Sequence, residues 1–126
     1  MNFKVENKLF IVGGAGSGFG RSIASVLASE GADVLAISRT EEKLISLVSD
    51  FPNKIEYLCG DIMKQDVQDK ILTLTADKQI SGVVFNASGP PAGGFADINM
   101  QMWDEAWETV VRWKIAFAES LLPILK

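Results

Sequence analysis

Along this chain the apolar positions fall into blocks whose period switches repeatedly between strand-like and helix-like. Leu9-Phe10-Ile11-Val12 is a short continuous apolar run ended by glycines, the pattern of a strand buried on both faces. Beyond the glycines, Ile23, Ala24, Leu27 and Ala28 recur at helical spacing up to Gly31, a residue suited to ending a helix in the left-handed conformation. Val34-Leu35-Ala36-Ile37 predicts a second strand. Leu44, Leu47, Val48 and Phe51 predict the buried stripe of a second helix, with Thr40 as its N-cap and Glu41 and Glu42 at its start.

Pro52-Asn53 breaks that pattern, and Ile55-Glu56-Tyr57-Leu58-Cys59 predicts a third strand before Gly60 and Asp61. Val67, Ile71 and Leu74 mark a third helix, and Val83-Val84-Phe85 a fourth strand. Residues 88–94, with two prolines and three glycines, read as a loop. A long last helix is expected from near Asn99. Its Trp103, Trp107, Val110, Val111, Phe117, Leu121 and Leu122 spread around much of its circumference, as in a helix buried on more than one side. Strands alternating with helices predict an α/β fold, a doubly wound parallel sheet of four strands in the order 3-2-1-4.

Composition narrows the chemistry. The 126 residues are 48% hydrophobic and 22% charged, enough for one core, and residues 1–126 are read as a single domain. A net charge of −4 provides no basic field for nucleic acid, so none is expected as a partner. Cys59 is the sole cysteine, which excludes an internal disulfide and fits a cytoplasmic location. Neither a secretory leader nor the roughly 20 apolar residues of a membrane helix is visible, and no membrane partner is expected. The absence of histidine removes the usual general base, the Ser-His and Cys-His nucleophile pairs and His-based metal sites, so no metal site is assigned.

The richest local signal is Gly13-Gly14-Ala15-Gly16-Ser17-Gly18-Phe19-Gly20, which joins the first strand to the first helix. Glycines at such a junction allow a tight turn and a close approach of backbone to phosphate, while free N–H groups and the helix dipole favour negative charge. Spacing separates the alternatives. G-x-G-x-x-G fails in every register, since Phe19 stands where Gly14 and Gly16 would require glycine. A Walker A loop fails because Phe19 replaces its lysine. G-x-x-x-G-x-G fits, at Gly14, Gly18 and Gly20.

On these residues the chain resembles the short-chain dehydrogenase/reductase family, whose nucleotide loop has that glycine spacing after its first strand, and in particular its 3-oxoacyl-ACP reductase-like members. Asp61-Ile62 resembles the family's adenine-contacting pair, and Asn86-Ala87-Ser88-Gly89 its Asn-Asn-Ala-Gly segment. Gly13 stands where a threonine is common and Ala87 replaces the second asparagine, so the side-chain roles of those two positions do not carry over. The resemblance implies a Rossmann-like nucleotide-binding domain, truncated relative to the family's full fold. The candidate cofactor-binding residues are Gly14, Gly16, Ser17, Gly18, Phe19, Gly20, Ser38, Arg39, Thr40, Asp61, Ile62, Asn86, Ala87 and Ser88. Asp61 also reads as the N-cap of the following helix, and Asn86 as a partner for local turn backbone.

A carboxylate about 20 residues past the glycines would bind the adenosine ribose and select NAD. Here the second strand ends in Ser38-Arg39-Thr40. A hydroxyl and a guanidinium suit a 2′-phosphate, so NADP(H) is favoured over NAD(H), against the alternative of Arg39 as an ordinary solvated charge.

The family's hydride transfer uses a Tyr-x-x-x-Lys helix and an upstream serine that follow a fifth strand. The one tyrosine, Tyr57, lies in the third strand with Asp61 four residues on, so no catalytic residue is assigned. In the family's register Val110 occupies the place of an asparagine that supports a proton-relay water. Lys114 reads as a helix lysine with its stem along the surface. The expected function is an NADP(H)-dependent oxidoreductase acting on a carbonyl or alcohol, with this chain supplying the cofactor-binding half. The alternatives are a catalytically silent nucleotide-binding or regulatory module and an inactive fragment. An apolar edge on the fourth strand and an unpartnered last helix imply self-association through one of them.

Overall fold

The computed structural model describes residues 4–87 and 93–125. Strands β1 (Leu9–Val12), β2 (Asp33–Ser38), β3 (Ile55–Cys59) and β4 (Ile80–Val84) form a parallel sheet in the order β3-β2-β1-β4. Helices α1 (Gly18–Ser29), α2 (Glu41–Asp50) and α3 (Gln65–Leu74) make the crossovers that parallel pairing demands. After β4 come a 3-10 turn at Phe95–Asp97, helix α4 (Met100–Trp107), a π-helical turn at Glu108–Arg112 and helix α5 (Trp113–Leu121).

The continuous apolar runs of β1 and β2 are explained by cover on both faces. Ile11, Leu35 and Ile37 pack with Val67, Ile71, Trp113, Phe117 and Leu121 on one side. Their strand neighbours Val12, Val34 and Ala36 pack with Ala24, Ala28, Leu44 and Leu47 on the other. Successive side chains of a strand point to opposite faces, so one run feeds two cores. Gly31 follows α1 with φ of +91°, as a helix stop should. At the sheet's edge, β3 exposes Glu56, Tyr57 and Cys59.

Several elements depart from the pattern reading. β4 begins at Ile80 and ends before Phe85, whose ring instead meets Trp113 and Phe117 edge-on with centroids 6.0 and 6.1 Å apart. Leu74, expected in a buried stripe, is 51% exposed at the end of α3. The last helix is not one regular helix. Asn99 caps it as expected, its side chain accepting from the Met102 N–H at 2.9 Å. The π turn then interrupts it, and there the indole Nε1–H of buried Trp113 donates to the Thr109 carbonyl at 2.7 Å. A side-chain donor that takes a helix carbonyl is a physical cause of such a local widening.

Nor is the last helix buried on several sides. Trp113, Phe117 and Leu121, spaced four apart, form its single buried stripe against the sheet. Trp103, Trp107, Val110 and Leu122 are exposed, and of these Trp103 is partly covered by the Phe95 ring of the 3-10 turn, with centroids 6.2 Å apart. Beyond a 3-10 turn at Leu122–Ile124, Leu125 makes an isolated parallel bridge to Ile80.

Candidate functional site

The glycine turn is strung across the carboxyl ends of the sheet. The Gly13 N–H donates to the Val84 carbonyl of β4 at 3.0 Å, and the Ala15 N–H to the Ile37 carbonyl of β2 at 2.9 Å. Gly14 and Gly18 both have φ of +58°, a conformation that a side chain resists. Gly20 serves a different need. A Cβ there would collide with the Gly14 carbonyl oxygen, so only glycine lets α1 start against the turn. The Ser17 hydroxyl occupies the N-cap position of α1 without capping it, and the N–H groups of Gly16 and Ser17 donate to no described residue.

A cavity of about 350 Å³ opens at this end of the strands. Of the candidate residues, Gly14, Gly16, Ser17, Ser38, Arg39, Thr40, Asp61, Ile62, Asn86 and Ala87 line it. Gly18, Phe19 and Gly20 do not: Phe19 points outward at 86% exposure, and Gly20 is buried in the packing just described. Ser88 lies outside the described residues. The cavity sits at the carboxyl ends of β1, β2 and β4, where open parallel sheets take their ligands. A second cavity, of about 520 Å³, lies at the opposite ends of the strands and includes none of these residues.

Each wall is held by identifiable bonds. At the end of β2, the Thr40 N–H donates to Ser38 Oγ at 3.2 Å and the Gly60 N–H to the Ser38 carbonyl at 2.7 Å. The Cys59 thiol donates to the Arg39 carbonyl at 3.6 Å. Thr40 precedes α2 as expected, but its side chain makes no capping bond. Asp61 does not cap α3 either, since Lys64 stands at that N-cap. Instead Asp61 Oδ1 accepts from the Met63 N–H at 3.0 Å and its carbonyl from the Lys64 N–H at 2.9 Å, closing a turn that sets Ile62 inward. Asn86 donates from Nδ2 to the Gly13 carbonyl at 3.3 Å, so it both serves turn backbone and lines the cavity.

Ile37, Lys43 and Gly60 also line the cavity, and pattern reading passed over all three. Lys43 lies one turn into α2, and a lone lysine there carries no local signal beyond that of a solvated helix face. Among the described residues no cluster of His, Cys, Asp and Glu could hold a metal ion, and no helix is long and apolar enough to cross a membrane.

Residues 8–126 match the family model described as short chain dehydrogenase. An uncharacterized oxidoreductase of Staphylococcus epidermidis is 24% identical over 124 residues, which are 97% of this chain and 54% of that protein. One from Staphylococcus aureus is 26% identical over 125 residues, 96% of this chain and 54% of its own. This chain therefore spans about half the length of the curated relatives it matches. Among solved structures, a short-chain dehydrogenase from Streptomyces avermitilis superposes with a TM-score of 0.84 at 26% identity, covering 94% of this chain and 44% of that one. A glucose/ribitol-type member from Brucella melitensis gives 0.89 at 25% identity, covering 100% and 55%. The L-sorbose reductase of Gluconobacter frateurii, solved with NADPH and L-sorbose, shares the fold with a TM-score of 0.82 at 22% identity over 98% and 49%.

Proposed function

Since this chain belongs to the short-chain dehydrogenase family, we propose that it holds NADP(H), in preference to NAD(H), across the glycine turn. It would thereby supply the cofactor-binding part of an oxidoreductase acting on a carbonyl compound or alcohol. The observation that carries this reading is the single cavity shared by the glycine turn and by Ser38, Arg39 and Thr40, with no carboxylate at the end of β2.

The donor set fits such a cofactor. Gly16 and Ser17 offer backbone N–H groups, and Ser17 an uncapped hydroxyl, to pyrophosphate oxygens beside the positive end of α1. Ile62, buried and held by the Asp61 turn, offers an apolar surface for adenine. Ser38 and Arg39 offer a hydroxyl and a fork of guanidinium donors to a 2′-phosphate, where a ribose-binding acid would repel it. When bound, the nicotinamide carries the hydride. The chain's own contribution is to bind, orient and partly desolvate the adenosine and pyrophosphate.

Arg39→Ala tests the cofactor assignment. NADPH binding, followed by tryptophan fluorescence or calorimetry, should weaken at least about fivefold while NADH binding barely changes. Equal losses for both would defeat it.

A second reading, a catalytically silent nucleotide-binding or regulatory module, is favoured by Val110 in the π turn, an apolar residue where the family's register places a water-supporting asparagine. NADPH binding with no turnover of any carbonyl substrate would support it. In either reading we assign the protein to the cytoplasm and to self-association through the last helix, from α4 to α5, or through the β4 edge. Light scattering that finds a monodisperse monomer would oppose the association.

A further inference from the structure

Lys43 shares the cofactor cavity with Ser38 and Arg39, yet neither the strand-end pattern nor the glycine spacing points to it. Its place there is fixed by packing. A Cβ built on Gly16 would meet Ser38 Oγ at 2.6 Å and Lys43 Cβ at 3.4 Å, so the bare backbone at Gly16 leaves a niche with the Ser38 hydroxyl on one side and the Lys43 stem on the other. Ser38 Oγ already accepts from the Thr40 N–H, which leaves its own proton to be donated outward. The niche thus presents a hydroxyl donor beside the base of a flexible four-carbon stem that ends in an ammonium.

We infer that Lys43 is a second cation for the 2′-phosphate of the cofactor and hence a specificity-determining residue, an inference that rests on the NADP(H) reading above. The charges around it support this role. The lysine makes no ion pair with any described residue. Glu41 and Glu42 precede it on α2 at separations that do not face it, and neither lines the cavity. Asp61, the only carboxylate among the described lining residues, is turned to the Met63 N–H through Oδ1.

The backbone beneath Lys43 is also pinned. Arg21 of α1 donates from Nη1 to the Lys43 carbonyl at 2.9 Å and from Nη2 to Ser46 Oγ at 3.2 Å, and it pairs with Asp50 at 3.7 Å. The Arg21 guanidinium is therefore committed to clamping α2 onto α1. It positions Lys43 and is not itself directed at the ligand.

The test compares two ligand pairs that differ in the 2′-phosphate, NADPH against NADH and adenosine 2′,5′-bisphosphate against AMP, titrated calorimetrically into wild type, Lys43→Gln, Lys43→Arg and Arg39→Gln. Wild type should prefer the phosphorylated member of each pair at least about tenfold. Lys43→Gln should weaken the phosphorylated members about five- to tenfold, leave the others within about twofold, and flatten the salt dependence of the bisphosphate. Lys43→Arg should restore most of the loss. Lys43 is exposed, so these variants should keep the wild-type melting curve. Equal weakening of both members by Lys43→Gln would overturn the inference. So would an unchanged preference in Lys43→Gln alongside its loss in Arg39→Gln, an outcome that leaves the NADP(H) reading standing. A wild type that fails to discriminate within either pair overturns both.

Discussion

Asn86 Nδ2 donates to the Gly13 carbonyl oxygen at 3.3 Å, a bond across 73 residues of sequence that ties the end of β4 to the entry of the glycine turn. Asn86→Ala would leave a buried residue's carbonyl without that partner and a gap in the cavity wall. A loss of about 1–2 kcal/mol in urea unfolding is expected, together with several-fold weaker NADPH binding. Asn86→Asp should cost more affinity, because it aims a carboxylate at a site lined for phosphate. If both variants bind NADPH as wild type does, the turn is held by other contacts.

Two glycines two residues apart should respond differently to alanine. At Gly20 a Cβ collides with the Gly14 carbonyl, and either α1 or the turn must move. At Gly18 nothing lies within 4 Å of the Cβ, and only the φ of +58° resists. Gly20→Ala should destabilise by about 1–3 kcal/mol and abolish dinucleotide binding. Gly18→Ala should cost about 1 kcal/mol and weaken binding less. Denaturant midpoints rank the two, and the reverse order would mean that the helix start is placed differently.

Trp113 joins the π turn to the core through its bond to the Thr109 carbonyl and its packing on Phe85. Trp113→Phe keeps an aromatic ring but removes the indole donor and some volume. A loss of about 1–3 kcal/mol is expected, with the helical signal at 222 nm largely retained. Since Trp103 and Trp107 are exposed, the same variant should remove most of the acrylamide-protected tryptophan emission. Protected emission that survives the substitution would contradict the burial pattern.

Tyr57 is the only tyrosine in the sequence and the residue most easily mistaken for a catalytic one. It sits half-exposed on the edge strand β3, outside the cofactor cavity. Tyr57→Phe should change stability by less than about 0.5 kcal/mol and leave NADPH affinity untouched. A selective loss of binding would give this hydroxyl a function that its position does not explain.

The sequence by itself determined the order of elements, the strand order, the glycine turn with its spacing, and the residues that end β2, β3 and β4 on the ligand side. Apart from the strand order, which follows from right-handed helical crossovers, these features are local: a strand buried on both faces is continuously apolar, and a turn with positive φ favours glycine. Tertiary structure decided what depends on how distant elements meet. Lys43 lines the cavity because α2, held to α1 through Arg21, packs beside the glycine turn, and Gly20 matters for packing because the helix starts under the Gly14 carbonyl. Asp61 closes its own turn because α3 begins further along, at Gln65. Periodicity marked Trp103, Trp107 and Leu74 as apolar but could not say whether a neighbour covers them, since burial belongs to pairs of surfaces and apolarity to single residues.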